Sequence, residues 1–236
     1  MVNHNRSLKL FIDIIFSKDI LEENKFRNIN LENLIMISST YLMIPTLFSA
    51  IRKKKYISYF PKDFINYVSY IYKTNKERNK ILTKELVEIK KIFKNNSINA
   101  VFLKSAYYLD KNILKDIGEK MIGDIDFIIP KVDLDKTILA LKKNGYKNSY
   151  EYIFWKTKHS RRLINNKKIF ALEPHTEILL YRKKNILNSL KYIQNVDNKA
   201  IELAKVCILN SQINDYCHLC CKIDFRSLYD LKLILN

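Results

Sequence analysis

Apolar residues recur at spacings of three and four through most of the first 95 positions, the period of helices that bury one face. LKLFIDIIF (8–16) is the first such stretch and LENLIMISSTYLMIPTLFSAI (31–51) the second; a long third runs from about Pro61 to Phe93. Pro45 falls inside the second and predicts a break or kink there, because proline lacks the amide that an interior turn needs. At residue 98 the texture changes. INAVFLKS (98–105) is a continuous apolar run of strand length, and AYYLDKNILKDI (106–117) returns to helical spacing. GDIDFIIP (123–130) predicts a second strand, closed by Pro130. VDLDKTILALKKNGY (132–146) predicts an amphipathic helix with Asp133 as N-cap and Gly145 as its stop. Two further strands fit YEYIFWKT (150–157) and KKIFALEPHTEI (167–178), and residues 186–236 are helical again. The expected organisation is α/β (α+β): an N-terminal helical region (1–96), a small α/β core (97–184) and a C-terminal helical region (185–236).

Composition narrows the class. A chain of 236 residues, 47% of them hydrophobic, can bury a core and is not disordered. The N-terminal MVNHNRSLKLFIDIIFSKD is too short and interrupted in its apolar stretch for a signal peptide or membrane span, so a cytoplasmic protein without a membrane partner is expected. Cys207, Cys217, Cys220 and Cys221 all fall in the last 30 residues. A disulfide framework would spread them along the chain, and the Cys-His-Leu-Cys stretch at 217–220 lacks a second ligand pair for zinc. Reduced thiols on packed helices are the expectation.

The formal net charge is +18. Residues 1–100 carry 18 Lys/Arg against 9 acids, residues 101–185 carry 18 against 10, and the rest 6 against 5. Runs such as Arg52-Lys53-Lys54-Lys55 and Arg161-Arg162 suit a polyanion. A composition loaded with Lys, Ile and Asn accounts for the same excess without a partner.

GDIDFIIP carries the chemistry. Side chains alternate faces along a strand, so Asp124 and Asp126 share one, a few ångströms apart, where their repulsion is relieved by a shared proton or a bound cation. Mg²⁺ is commonly held by one or two carboxylates together with substrate phosphates. In LEPHTEIL the residues Glu173, His175 and Glu177 share a face if the segment is extended; Glu173 is the favoured third carboxylate, with His175 as a substrate contact or as support for a ligand. Pro174 predicts an edge position or a bulge. Lys104 and Ser105 stand at a strand-to-helix junction, where amides and a lysine can meet phosphate.

These segments resemble a bacterial branch, the uncharacterised nucleotidyltransferases, of the superfamily with the DNA-polymerase-β-type palm. That branch has a helical N-terminal region, a Leu-Lys-Gly segment at a strand end, a basic residue before an Asp-Ile/Val-Asp-Leu/Phe strand, and a downstream Glu-Leu-His. Here the matching stretches are LKS (103–105), Lys120 ahead of GDIDFIIP, and EPH (173–175), while FRSLYDLKLIL (225–235) resembles the last helix. The likeness spans nearly the whole chain. It implies a small mixed-sheet nucleotidyltransferase palm in which Asp124, Asp126 and Glu173 hold Mg²⁺ or Mn²⁺. Lys104, Ser105, Lys120 and His175 would meet the nucleotide. The implied reaction moves an NMP from an NTP, such as ATP, to a hydroxyl with release of pyrophosphate through two metal ions. Ser105 in place of the branch's glycine is expected to narrow the backbone approach to the phosphates. Acceptors compatible with the residues are RNA or tRNA, as for the nucleotidyltransferase toxins that share this architecture, a protein hydroxyl, or a small molecule. The alternative from another class is a catalytically degenerate nucleotide- or RNA-binding protein. Replacing Asp124 or Asp126 by Ala is expected to abolish transfer with little loss of folding, since removing an unpaired carboxylate relieves repulsion.

Overall fold

The computed structural model describes residues 2–149, 160–177 and 224–235, which divide between two compact units. Residues 1–80 with 115–121 make the first, and residues 81–114 with 122–236 the second.

The first unit is helical, as the apolar spacing predicts. It contains α1 (Val2–Phe16), α2 (Leu31–Thr40), α3 (Ile44–Lys53) and the first part of α4 (Lys62–Asn95). Leu10, Phe11 and Ile14 of α1 pack in a core shared with Leu34, Leu47, Ile51 and Val68. Asn30 starts α2 by accepting the Asn33 amide on its side-chain oxygen at 2.8 Å. The predicted break is a full interruption. The chain leaves α2 at Thr40, passes through Leu42 at φ 52° and restarts at Ile44, with the two axes 119° apart. Pro45 lies in the first turn of α3, where its missing amide leaves no helical bond unmade.

Residues 115–121, which sequence periodicity assigned partly to a helix, instead form a loop held by side chains of α3 and α4. Asp116 accepts from the Tyr72 hydroxyl (2.6 Å), Ser49 (3.0 Å) and Arg52 (2.8 Å). Asn75 donates to the carbonyls of Gly118 and Lys120, and Asn79 to those of Ile117 and Lys120. Thr46 donates to the Glu119 carbonyl, and the buried Glu119 carboxylate accepts from Ser49 and pairs with Lys53.

The second unit holds a five-stranded mixed sheet in the order β1 (Val101–Phe102), β2 (Ile125–Ile128), β5 (Leu172–His175), β4 (Leu163–Ile164), β3 (Lys147–Asn148). β2 and β5 run parallel and the other neighbours antiparallel. α5 (Lys104–Asp110) follows β1, α6 (Leu134–Lys143) follows β2, and α7 is Phe225–Leu235. Phe127 points to the α4 side of the sheet, 4.9 Å centroid to centroid from Phe93. The fold class is therefore mixed α/β with a small palm-like sheet, as expected.

Details differ from the sequence reading. The strands are shorter than the apolar runs, which continue into loops, and α5 stops at Asp110. Asp133 occupies the N-cap of α6 but caps with no side-chain bond; its carbonyl accepts from Thr137. Gly145 at φ 86° does end that helix region, in the left-handed conformation glycine adopts at least cost. Most consequentially, β5 is interior and not an edge strand. Its bonds to β2 use odd-numbered residues: the carbonyls of Ala171 and His175 accept from Ile125 and Ile129. Pro174 faces the other way, past the Leu163–Leu172 pair, where only its carbonyl is used, by the Ser160 amide. A donorless nitrogen is tolerated there because β4 has already ended. The predicted strand at 150–157, the four cysteines and most of the predicted C-terminal helices lie outside the described residues. Among the described residues no single helix is long and apolar enough to cross a membrane.

Candidate metal and nucleotide site

The parallel register of β2 and β5 builds the site. Asp126 is paired with Glu173, and Ile128 with His175. Partners in register share a face, as do residues two apart, so Asp126, Glu173 and His175 project together, opposite Phe127. Each can offer one ligand atom within 4.8 Å of the others, and all three are buried. Asp124 lies one residue ahead of β2 with its side chain 27% exposed.

Two cations meet these acids. The Lys104 ammonium is 2.9 Å from Asp126 Oδ1. Arg162 binds Asp124 Oδ2 at 3.0 Å through one nitrogen and Glu173 through its Nε. Burial by itself pushes the Asp126 carboxyl up; Lys104 and then the His175 hydrogen bond outweigh it, leaving Asp126 well below the usual carboxylate range. Asp124 goes the other way. Its partial burial, helped by the charges of Glu173 and Asp126, raises it against the opposing pull of Arg162 and Lys104. Two like acids two residues apart thus differ in proton affinity: Asp126 has both the Lys104 ammonium and the His175 N–H on one oxygen, whereas Arg162, shared with Glu173, does not offset the burial of Asp124 and its two neighbouring acids.

His175 Nε2 is 3.0 Å from Asp126 Oδ1 and 3.9 Å from Glu173 Oε2. An ionised carboxylate only accepts, so Nε2 carries the hydrogen of this bond. The imidazole therefore orients Asp126 in this state, and it would ligate a metal through Nε2 only after giving that proton up. Two buried carboxylates with an imidazole, and a third carboxylate at their margin, form an oxygen-rich donor set that fits Mg²⁺ or Mn²⁺.

Lys104 has φ 50°, a left-handed backbone that costs a lysine about 1 kcal/mol or more. The strained position is the lysine and not the following Ser105, which is buried and outside the positive-φ set, so a glycine at 105 is not needed for backbone geometry. α5 is seven residues long and begins at Lys104, with Leu103 as N-cap and no side-chain cap bond. Lys120 belongs to the first unit, buried, with its carbonyl held by Asn75 and Asn79. Glu177 is not one of the converging group.

Arg162 is the residue whose place among the acids the sequence did not show. It stood out only as part of a basic pair suited to a polyanion. One step beyond the antiparallel Leu163–Leu172 pair puts it directly opposite Glu173, on the face of the acids. The available signal was a charge immediately before a short apolar pair, which is too common to single out.

Neither the curated proteins nor the solved structures gave a significant match. The family model described as "Uncharacterised nucleotidyltransferase" matches residues 27–235, a span that holds the acids, their cations and every strand of the sheet, and the chain belongs to that family.

Proposed function

We propose that this protein transfers a nucleoside monophosphate from an NTP to a hydroxyl acceptor, releasing pyrophosphate, with Mg²⁺ or Mn²⁺ at Asp126 and Glu173 and with Asp124 as the further carboxylate. The observation that carries the reading is the convergence of Asp126, Glu173 and His175 on one sheet face beside Lys104 and Arg162. Bound divalent ions would neutralise triphosphate charge and make the acceptor hydroxyl easier to deprotonate. The chain's own groups do the rest. His175 fixes the Asp126 carboxylate, and Arg162 spans Asp124 and Glu173 so that neither turns away. Lys104, 40% exposed at its side chain, can swing its ammonium from Asp126 to a phosphate oxygen, with Ser105 beside it. Its left-handed backbone is strain of the kind concentrated at functional sites.

The test is release of labelled pyrophosphate from each NTP with Mg²⁺ or Mn²⁺, offered bulk RNA, protein and small hydroxylated acceptors in turn. Asp126→Asn should lower the rate at least about 100-fold, the size of several kcal/mol of charge stabilisation. One observation favours a second reading: Asp124, Asp126 and Glu173 each already face a protein cation. A degenerate nucleotide holder would bind NTP in the same assay and release no pyrophosphate with any acceptor.

A further inference from the structure

A second concave feature lies within the second unit, beside β1, the edge strand of the sheet among the described residues. A cavity of about 370 Å³ opens between α4, β1 and α5, in the size range of sites that bury a small ligand or one unit of a larger one. Phe93, Phe102 and Tyr107 form its apolar floor, and Lys90, Lys94 and Lys111 stand around it. Asp110 is the acid on this rim. It pairs with Lys90 at 2.6 Å and Lys111 at 3.3 Å, so three lysines face one carboxylate and two of them are held in place by it.

The edge adds hydrogen bonding. The Leu103 amide donates to the Asp126 backbone carbonyl, and Val101 is paired with Ile128. In an antiparallel ladder the intervening residue turns its backbone groups outward, so the amide and carbonyl of Phe102, a residue lining the cavity, point away from β2. Apolar floor, one donor, one acceptor and a cationic rim match a base with its phosphate. The exposed Lys91, three residues before Lys94 and so its neighbour on the helix surface, adds a cation beyond the cavity. A mononucleotide would leave it unused; a polymer with regularly spaced phosphates would not.

We infer that this cavity docks a nucleotide of a single-stranded RNA acceptor, its base against the β1 edge and its phosphates along Lys90, Lys94 and Lys111. The inference rests on the transferase reading for the word acceptor, not for the binding itself. α5 connects the two places: it begins at Lys104, beside Asp126, and its far end carries Asp110 at the cavity rim, roughly 10 Å along the helix at 1.5 Å per residue. The cavity floor lies on the α4 face of the sheet, where Phe102 is paired with Phe127, and the acids project from the other face, so an RNA seated there would pass round β1 to present a hydroxyl near them.

Binding of a fluorescent single-stranded 12-nucleotide RNA, titrated at several salt concentrations, tests this. Lys90→Gln/Lys94→Gln/Lys111→Gln should weaken affinity at least about tenfold at low salt and flatten the logarithmic salt dependence by about 2. Lys18→Gln/Lys25→Gln/Lys62→Gln removes the same charge from exposed lysines of the first unit and should leave affinity nearly unchanged. Ala100→Trp, which fills the cavity from a partly exposed position without altering charge, should also weaken binding. Asp126→Asn should bind RNA normally while losing pyrophosphate release, which separates failure of the transferase reading from failure of the docking site. Equal weakening by both lysine triples, unchanged binding in the cavity variants, or equal affinity for polyglutamate of the same charge would each overturn the inference.

Discussion

Asp126 is a charge that burial alone would neutralise and that Lys104 and His175 keep ionised. The expectation that removing this carboxylate relieves repulsion at little structural cost assumed it was unpaired, and the geometry corrects that. Asp126→Asn leaves Lys104 and the His175 donor with a weaker acceptor, so urea denaturation should show a loss of about 1–3 kcal/mol beside the loss of transfer. Arg162 behaves differently because it serves two acids at once. In Arg162→Ala, Asp124 and Glu173 repel with no guanidinium between them. The variant should melt lower without metal, by about 1–2 kcal/mol given that Arg162 is 38% exposed. Added Mn²⁺ should raise its melting temperature by more than it raises that of the wild type.

Among the elements, the loop at 115–121 is the clearest case of structure imposed from outside its own sequence. A Cβ on Gly118 would lie 2.7 Å from ring carbons of Tyr72, whose hydroxyl is fixed on Asp116. Gly118→Ala should therefore cost about 1–3 kcal/mol in an unfolding experiment, the range for overpacking a filled site. Asp116 also gives the fold an acid limb. Burial pushes its carboxyl up, but hydrogen bonds from Tyr72, Gly118 and Ser49, with Lys53 nearby, bring it below the ordinary value. Its folded pKa is depressed, so the stability it contributes is complete above the unfolded carboxylate value near about 4 and is lost as pH falls through the folded value. Thermal midpoints of wild type and Asp116→Asn should converge as pH is lowered from about 5 toward 2. The same group, with burial as the larger cause, lifts the Tyr72 hydroxyl to about 12, so that tyrosine stays a donor throughout this range.

For the molecule as a whole, charge and core were plain in the residues and their arrangement was not. A formal charge of +18 on 236 residues works against compaction. Raising ionic strength from about 20 to 200 mM should thus raise the melting temperature, since screening weakens the summed repulsion more than it weakens a few contact ion pairs. A midpoint that falls over this range would mean that ion pairs such as Lys90–Asp110 and Arg162–Asp124 outweigh it.

Local pattern determined the helices of the first unit, the break before Pro45, the apolar strand carrying the acids, and the segments at 103–105 and 173–175 that resemble the family. These follow from spacings of two, three and four residues, which act over one or two turns of chain. Tertiary structure alone decided that β5 lies inside the sheet, that Arg162 stands opposite Glu173, that Lys104 is drawn onto Asp126, and that residues 115–121 form a clamped loop. Each of those depends on strand register or on a contact between residues 11 to 73 positions apart, and a periodicity says which face a side chain takes without saying what will be across from it.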